Sequence, residues 1–187
     1  MPPQIRVQSR HTAREKIERK NPGAAIIDVT SRGPEPWVRF SPFFPLGELP
    51  VPFSPGRVGA SVEGIWQGLK VFESADVDLE VMARTTMRRL KRTVRRYGRC
   101  LGHRRGVDGE SLLGYVEARH AIYVPTYRWA LDNRLQDEVA ALEAIARERP
   151  VVLLDYETNC DVDDPRKPLS HAGLVAAYIR ERLAAAA

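Results

Sequence analysis

Apolar positions in this chain come in short bursts, and each burst carries its own period. Residues 151–156, VVLLDY, form an unbroken apolar run closed by a carboxylate, which predicts a buried strand. AAIIDVT, residues 24–30, reads as a second strand, and WVRF, 37–40, as a third. Helical spacing predicts a segment at 61–72 behind a Ser61 cap. A longer one is expected from Val77 to Arg96, with Asp76 or Asp78 as cap and Gly98 as terminator. Further helices are expected at 110–124, closed by Pro125, at 126–133, at 135–148, and at 171–184 behind Ser170. The first dozen residues read as a loose tail, and TAREKIERK, 12–20, as a short charged helix. Residues 42–59, PFFPLGELPVPFSPGRVG, exclude regular helix, yet their aromatics and leucines demand burial. They predict an ordered loop with an edge strand or hairpin. The organisation expected is a tail or short helix over 1–20, then one domain over 21–187. It is helix-rich with a few short strands and no regular βαβ alternation, hence α+β.

The 61–72 segment, SVEGIWQGLKVF, is the most informative. On a helix with Glu63 at zero, Gln67 falls at about 40° and Lys70 at about −20°. Val62, Ile65, Leu69 and Phe72 make the apolar side, and Gly64, Gly68 and Val71 fill the sector where a surface helix carries charge. Glycine there lets another backbone or a ligand approach closely. The helix is therefore expected to be surrounded, with Glu63, Gln67 and Lys70 buried together. Buried charges need partners, and a Glu–Lys pair facing a cavity is a site candidate; the competing reading is two solvated side chains.

Composition changes this picture little. With 187 residues, 43% hydrophobic and 28% charged, the chain can bury a core. No apolar run is long enough to span a membrane, and no secretory signal opens the chain. Cys100 and Cys160 suggest neither a disulfide framework nor a metal site, so no metal or cofactor is expected and the cytoplasm is the default compartment. The net charge of +5 favours anionic partners.

The charge is also uneven: residues 84–105 hold many arginines and no acid. As a helix this stretch would present Arg84, Arg88, Lys91, Arg92, Arg95 and Arg99 on one broad face. That face is either solvated or a phosphate-contacting surface. In the glycine-flanked loop GHRRG, His103 sits beside Arg99, Arg104 and Arg105 as possible phosphate ligands. Asp155, at the end of an apolar strand, is positioned to point into a pocket. The acidic loop after it lacks the spacing of a calcium loop.

The 61–72 segment resembles the signature helix of the YbiA-like, or NADAR, proteins, written roughly T-V-E-H-x-Y-Q-A-x-K-F. Phe40-Ser41-Pro42-Phe43 with Pro45 resembles that family's F-S-N-F-Y-P segment. ARHAIYVPTYRWALDNRL and the VVLLDY strand with the last helix are similar to its later segments, so the resemblance covers about residues 25–184. The family's Asn is Pro42 here, and its later W-G pair is absent. The resemblance implies N-glycosidase chemistry at ribose C1′, with Lys70 as covalent nucleophile and Glu63 as acid/base or ribose clamp. Asp155 would be a further catalytic contact. Phe43, Trp66, Gln67, Arg99, His103 and Arg104 would bind substrate. The implied partner is a small phosphorylated ribosyl compound or an ADP-ribosylated nucleic acid. A non-catalytic nucleotide- or nucleic-acid-binding protein using residues 84–105 is the alternative.

Overall fold

The structure is a computed structural model describing residues 4–186. In chain order its elements are β1 (Ile5–Ser9), α1 (Arg14–Lys20), β2 (Ala25–Asp28), a 3-10 turn (Trp37–Phe40), β3 (Leu49–Pro50), β4 (Val58–Gly59), α2 (Val62–Gly68) and β5 (Lys70–Phe72). There follow α3 (Leu79–Met82), α4 (Val94–Tyr97), β6 (Cys100–Arg104), β7 (Leu112–Leu113), α5 (Tyr115–Ala118), a π-helical turn (Arg119–Tyr123), α6 (Val124–Asn133), α7 (Gln136–Glu148), β8 (Val151–Asp155) and α8 (His171–Ala185). The class is α+β. The elements gather into two compact units, one from the chain up to Ser41 and from Leu135 onward, the other from Pro42–Arg134.

The first unit is a parallel sheet in the order β1-β8-β2. β8 is central, and its continuous apolar run suits a strand covered on both faces; Val151, Val152 and Leu153 are all buried. α8 packs on β1 and β8, and its Val175, Ile179 and Leu183 are buried. Residues 5–9 are not a loose tail, and residues 1–3 of that expectation lie outside the described residues. Ile5 pairs with Val151, and the ladder runs on to Ser9 opposite Asp155. Only Ile5 and Val7 are apolar in IRVQS, so the alternation is too short to stand out in the sequence. WVRF is likewise not a strand. It forms the 3-10 turn, which brings Trp37 and Phe40, three apart, into a stack with ring centroids 6.2 Å apart.

The second unit holds the 61–72 segment. The proline-rich loop ends in the expected hairpin, with Leu49 opposite Gly59. Ser61 caps α2 by accepting from the Gly64 N–H at 3.0 Å. The helix ends at Gly68, two residues before Lys70, because Lys70-Val71-Phe72 leaves it as a strand paired antiparallel to β6. The expected helix from Val77 to Arg96 is absent. Asp78 caps a single turn, α3, and Gly98 ends another, α4, with irregular backbone between them. GHRRG, 102–106, is not a loop throughout: Gly102–Arg104 belong to strand β6. Residues 110–124 are not one helix: β7 precedes α5, and the π-helical turn leads into α6 without a stop at Pro125. Proline is tolerated there because it sits in the first turn of α6, where its missing N–H costs nothing.

The glycine flank of α2 does admit a close neighbour, and that neighbour is α3. A Cβ on Gly68 would lie 2.3 Å from Met82 Cγ and 2.9 Å from the Asp78 carbonyl oxygen. On Gly64 it would meet Ser61 Oγ at 2.9 Å and the Val81 carbonyl oxygen at 3.1 Å. Gly68→Ala is therefore expected to destabilise the protein by about 1–3 kcal/mol through overpacking, despite alanine's better helix propensity. Urea denaturation checks this; a stabilised variant would show that α3 yields.

Candidate functional site

Every side chain of α2 is buried, including Glu63, 7% exposed, and Gln67, 5%. Their polar groups are matched internally. Gln67 Nε2 donates to Glu63 Oε1 at 2.8 Å, and Gln67 Oε1 accepts the Arg92 backbone N–H at 3.0 Å. The Gln67 amide thus orients Glu63, with both ends engaged inside the protein, and does not reach toward a sugar or phosphate.

Lys70 heads β5 opposite His103 on β6. Directly opposed residues of an antiparallel pair project on the same face, with Cβ atoms about 5 Å apart. Lys70 is half-buried, and among the described residues no carboxylate forms an ion pair with it. Burial lowers its pKa from the ordinary 10.5; Glu63 and Cys100 oppose the shift, and Lys91 and Arg92 reinforce it. His103 is 2% exposed, and neither ring nitrogen has a hydrogen-bond partner in the protein. Burial, reinforced by the Lys70 charge, holds its pKa down at about 3, so the imidazole is uncharged at neutral pH. Its ring lies on Trp66 with centroids 3.8 Å apart. Trp66 in turn meets Tyr123 edge-on at 5.4 Å and Tyr115 at 6.1 Å. With 8% exposure, Trp66 is the floor of the site, packed among His103, Tyr115 and Tyr123.

Arg99 and Arg104 are not free phosphate ligands. Arg99 is exposed and paired with Glu73 at 3.5 Å. Arg104 alternates with His103 along β6, so it faces the other side of the sheet, where it pairs with Asp76 at 2.6 Å. The cation beside the site is Lys91, exposed, with its ammonium 5.8 Å from the centroid of half-buried Phe43.

Asp155 lies in the first unit and is used there. Its Oδ2 accepts from Ser170 Oγ at 2.7 Å and the Ala172 N–H at 3.2 Å, and faces His171 Nδ1 at 3.0 Å. Oδ1 accepts the Tyr156 N–H at 2.7 Å. His171 Nε2 lies 2.8 Å from the Val29 carbonyl, an acceptor only, so that nitrogen carries a proton. Asp155 therefore fixes the start of α8 to the sheet. Burial raises its pKa, but His171, Ser170 and the Ala172 N–H overcome that and hold it below the ordinary 3.8. The stability it contributes is present above its unfolded value and is lost as pH falls through the lower folded value. Asp155→Asn is expected to cost about 3 kcal/mol at neutral pH and to flatten the loss of stability in acid. Thermal unfolding across pH checks this; an unchanged acid limb would contradict the role.

Two arginines matter here that the sequence pattern disguised. Arg92, expected on an outer basic face, is 6% exposed. It donates to the carbonyls of Gln67 at 3.2 Å, Lys70 at 2.6 Å and Asp76 at 2.7 Å. Arg119 is 1% exposed in the π-helical turn and donates to Tyr115 Oη at 3.0 Å. The signal for both was that an arginine's five donors suit a crowded set of carbonyls and hydroxyls, but only the fold shows which arginines meet one. Among the described residues no cluster of His, Cys, Asp and Glu has the makings of a metal site, and no helix is long and apolar enough to cross a membrane.

The site thus defined is a buried glutamate, a desolvated lysine and an uncharged histidine on an aromatic floor. The model of a family described as Family of unknown function (DUF6939) matches residues 9–175, and the chain belongs to that family. No curated protein and no solved structure matches it.

Proposed function

We propose that the protein is an N-glycosidase-like hydrolase acting on a phosphorylated ribosyl compound, with Lys70 as nucleophile. The observation that carries this reading is the Lys70 amine itself. It is desolvated, unpaired with any carboxylate among the described residues, and shifted toward its neutral form. Such a lysine is competent for Schiff-base chemistry. The neutral amine bonds to C1′ as the C1′–N bond breaks. The bonding pair leaves with the base nitrogen, which takes up a proton. Opening of the sugar ring gives an imine, and water then hydrolyses it, releasing the sugar and restoring Lys70. Glu63, oriented by Gln67, serves as the proton acceptor or ribose clamp. Lys91, beside Phe43, is the group placed to meet phosphate.

The test is incubation with a ribosylated nucleobase followed by borohydride and peptide mapping. An adduct on Lys70 is expected, and a reaction that leaves Lys70 unmodified would sink the proposal. The second reading, a nucleotide- or nucleic-acid-binding protein, is favoured by one observation. Arg88, Arg89, Lys91, Arg95 and Arg96 are all exposed, and none has an acidic partner among the described residues. Salt-sensitive binding to DNA or RNA that survives Lys70→Met, without any adduct, would select it.

A further inference from the structure

His103 presents a buried polar group that the protein does not satisfy. Buried side-chain nitrogens are nearly always hydrogen-bonded, and an orphan asks for an explanation. Here both ring nitrogens are orphans, the residue is 2% exposed, and the ring is immobilised against Trp66. The sequence context, GHRRG, suggested a phosphate ligand. The structure argues against that: a phosphate ligand is best cationic, whereas this imidazole is desolvated beside the Lys70 ammonium. An uncharged imidazole offers one N–H and one lone pair. Its natural partner is a neutral group that can both donate and accept, and a sugar hydroxyl suits either tautomer.

Its position narrows the choice. His103 is the cross-strand neighbour of Lys70 on the same face. If Lys70 Nζ meets C1′, the nearest sugar hydroxyl is the one on the adjacent carbon. We infer that His103 is a specificity-determining residue that hydrogen-bonds the 2′-hydroxyl, so that the site accepts ribosyl compounds and rejects 2′-deoxyribosyl ones. This inference rests on Lys70 attacking C1′, as proposed above. It names a role for His103 distinct from phosphate binding, which falls to Lys91.

The probes are ribose 5-phosphate and 2-deoxyribose 5-phosphate, whose open-chain aldehydes can form an imine with Lys70. Each is incubated with the full chain and cyanoborohydride, and the modified fraction of Lys70 is measured by mass spectrometry, normalised to the reaction of each sugar with butylamine. The wild type is expected to favour ribose by about tenfold, the worth of one buried hydrogen bond. His103→Phe, which keeps a ring against Trp66, is expected to bring the ratio near one while Lys70 remains modified. Equal labelling by both sugars in the wild type, or an unchanged ratio in His103→Phe, would overturn the inference and leave Lys70 as nucleophile. Absence of a Lys70 adduct with either sugar would overturn the glycosidase reading and this inference with it. Should His103→Phe not fold, the imidazole nitrogen-15 resonances of His103 in Lys70→Met are followed on adding ribose 5-phosphate. A shift absent with the deoxy sugar supports the contact, and no shift removes it.

Discussion

Lys70→Met is expected to abolish borohydride trapping, to lower any glycosidase rate by at least about a thousandfold, and to leave the protein as stable as before or more so. The combination is the informative part. A half-buried, desolvated ammonium without an ion pair is a liability to the fold, and Met fills the same space without needing a partner. The pH dependence follows from the direction of the shift. The folded-state pKa of Lys70 lies below its unfolded value of 10.5. Between the two values the unfolded chain binds more protons, so stability rises with pH across that interval. Below the folded value the penalty is present in full. Lys70→Met removes both the penalty and the rise. Trapping in the wild type should increase with pH, with a midpoint below 10.5, as the amine becomes neutral. Chemical denaturation of wild type and variant at neutral and alkaline pH, set beside trapping yields, tests the whole chain of reasoning. A variant several kcal/mol less stable would make Lys70 a structural residue, and the nucleophile assignment would then stand without its physical basis.

The candidate site was legible in part, and the reason lies in which interactions are local. The burial of Glu63 and Gln67 followed from the two glycines on the α2 flank, because a helix with no ordinary solvent-facing sector has to be enclosed. VVLLDY was legible for the same kind of reason: an unbroken apolar run suits a strand covered on both faces. Lys70 was placed correctly among these residues but on the wrong element. A 100° period can be extended over any twelve residues, and nothing local marks the exit from helix at Leu69. The strand that Lys70 joins is set by β6, some thirty residues further on. The pairing of Lys70 with His103 and the stacking of His103 on Trp66 depend on that distant contact, so spacing carried no hint of either. The basic stretch misled more severely. Leu79, Met82, Leu90, Val94 and Tyr97 fit one helical face, yet Val94 is 64% exposed while Leu90 is 1% exposed. The real periodicity is broken between α3 and α4, and an arginine at position 92 goes inside, where the pattern placed it outside.

That inward arginine gives the second large effect. Arg92→Met is expected to destabilise the protein by about 3–5 kcal/mol. The guanidinium holds three carbonyl oxygens from separate segments, those of Gln67, Lys70 and Asp76. It lies over the rings of Phe72 and Tyr97, at 5.1 and 5.2 Å, with Asp78 at 3.8 Å from Nε. Met keeps the apolar stem between the rings but leaves the carbonyls without their donor; each buried group left unmatched costs about 1–3 kcal/mol. The Gln67 carbonyl also accepts an N–H at the end of α2, so its loss is the mildest of the three. Arg92→Lys separates charge from geometry. A lysine retains the positive charge that helps lower the Lys70 pKa, yet its point-like ammonium cannot span three acceptors as the planar fork does. The expected result is most of the destabilisation of Arg92→Met together with a fall in Lys70 trapping, because the carbonyl that fixes the Lys70 backbone has lost its anchor. Urea denaturation and trapping yield for the two variants decide between clamp and charge. If Arg92→Lys is as stable and as readily trapped as the wild type, the residue acts through its charge alone and the clamp is disproved. If both variants lose stability but the folded fraction traps normally, Arg92 supports the fold without positioning Lys70.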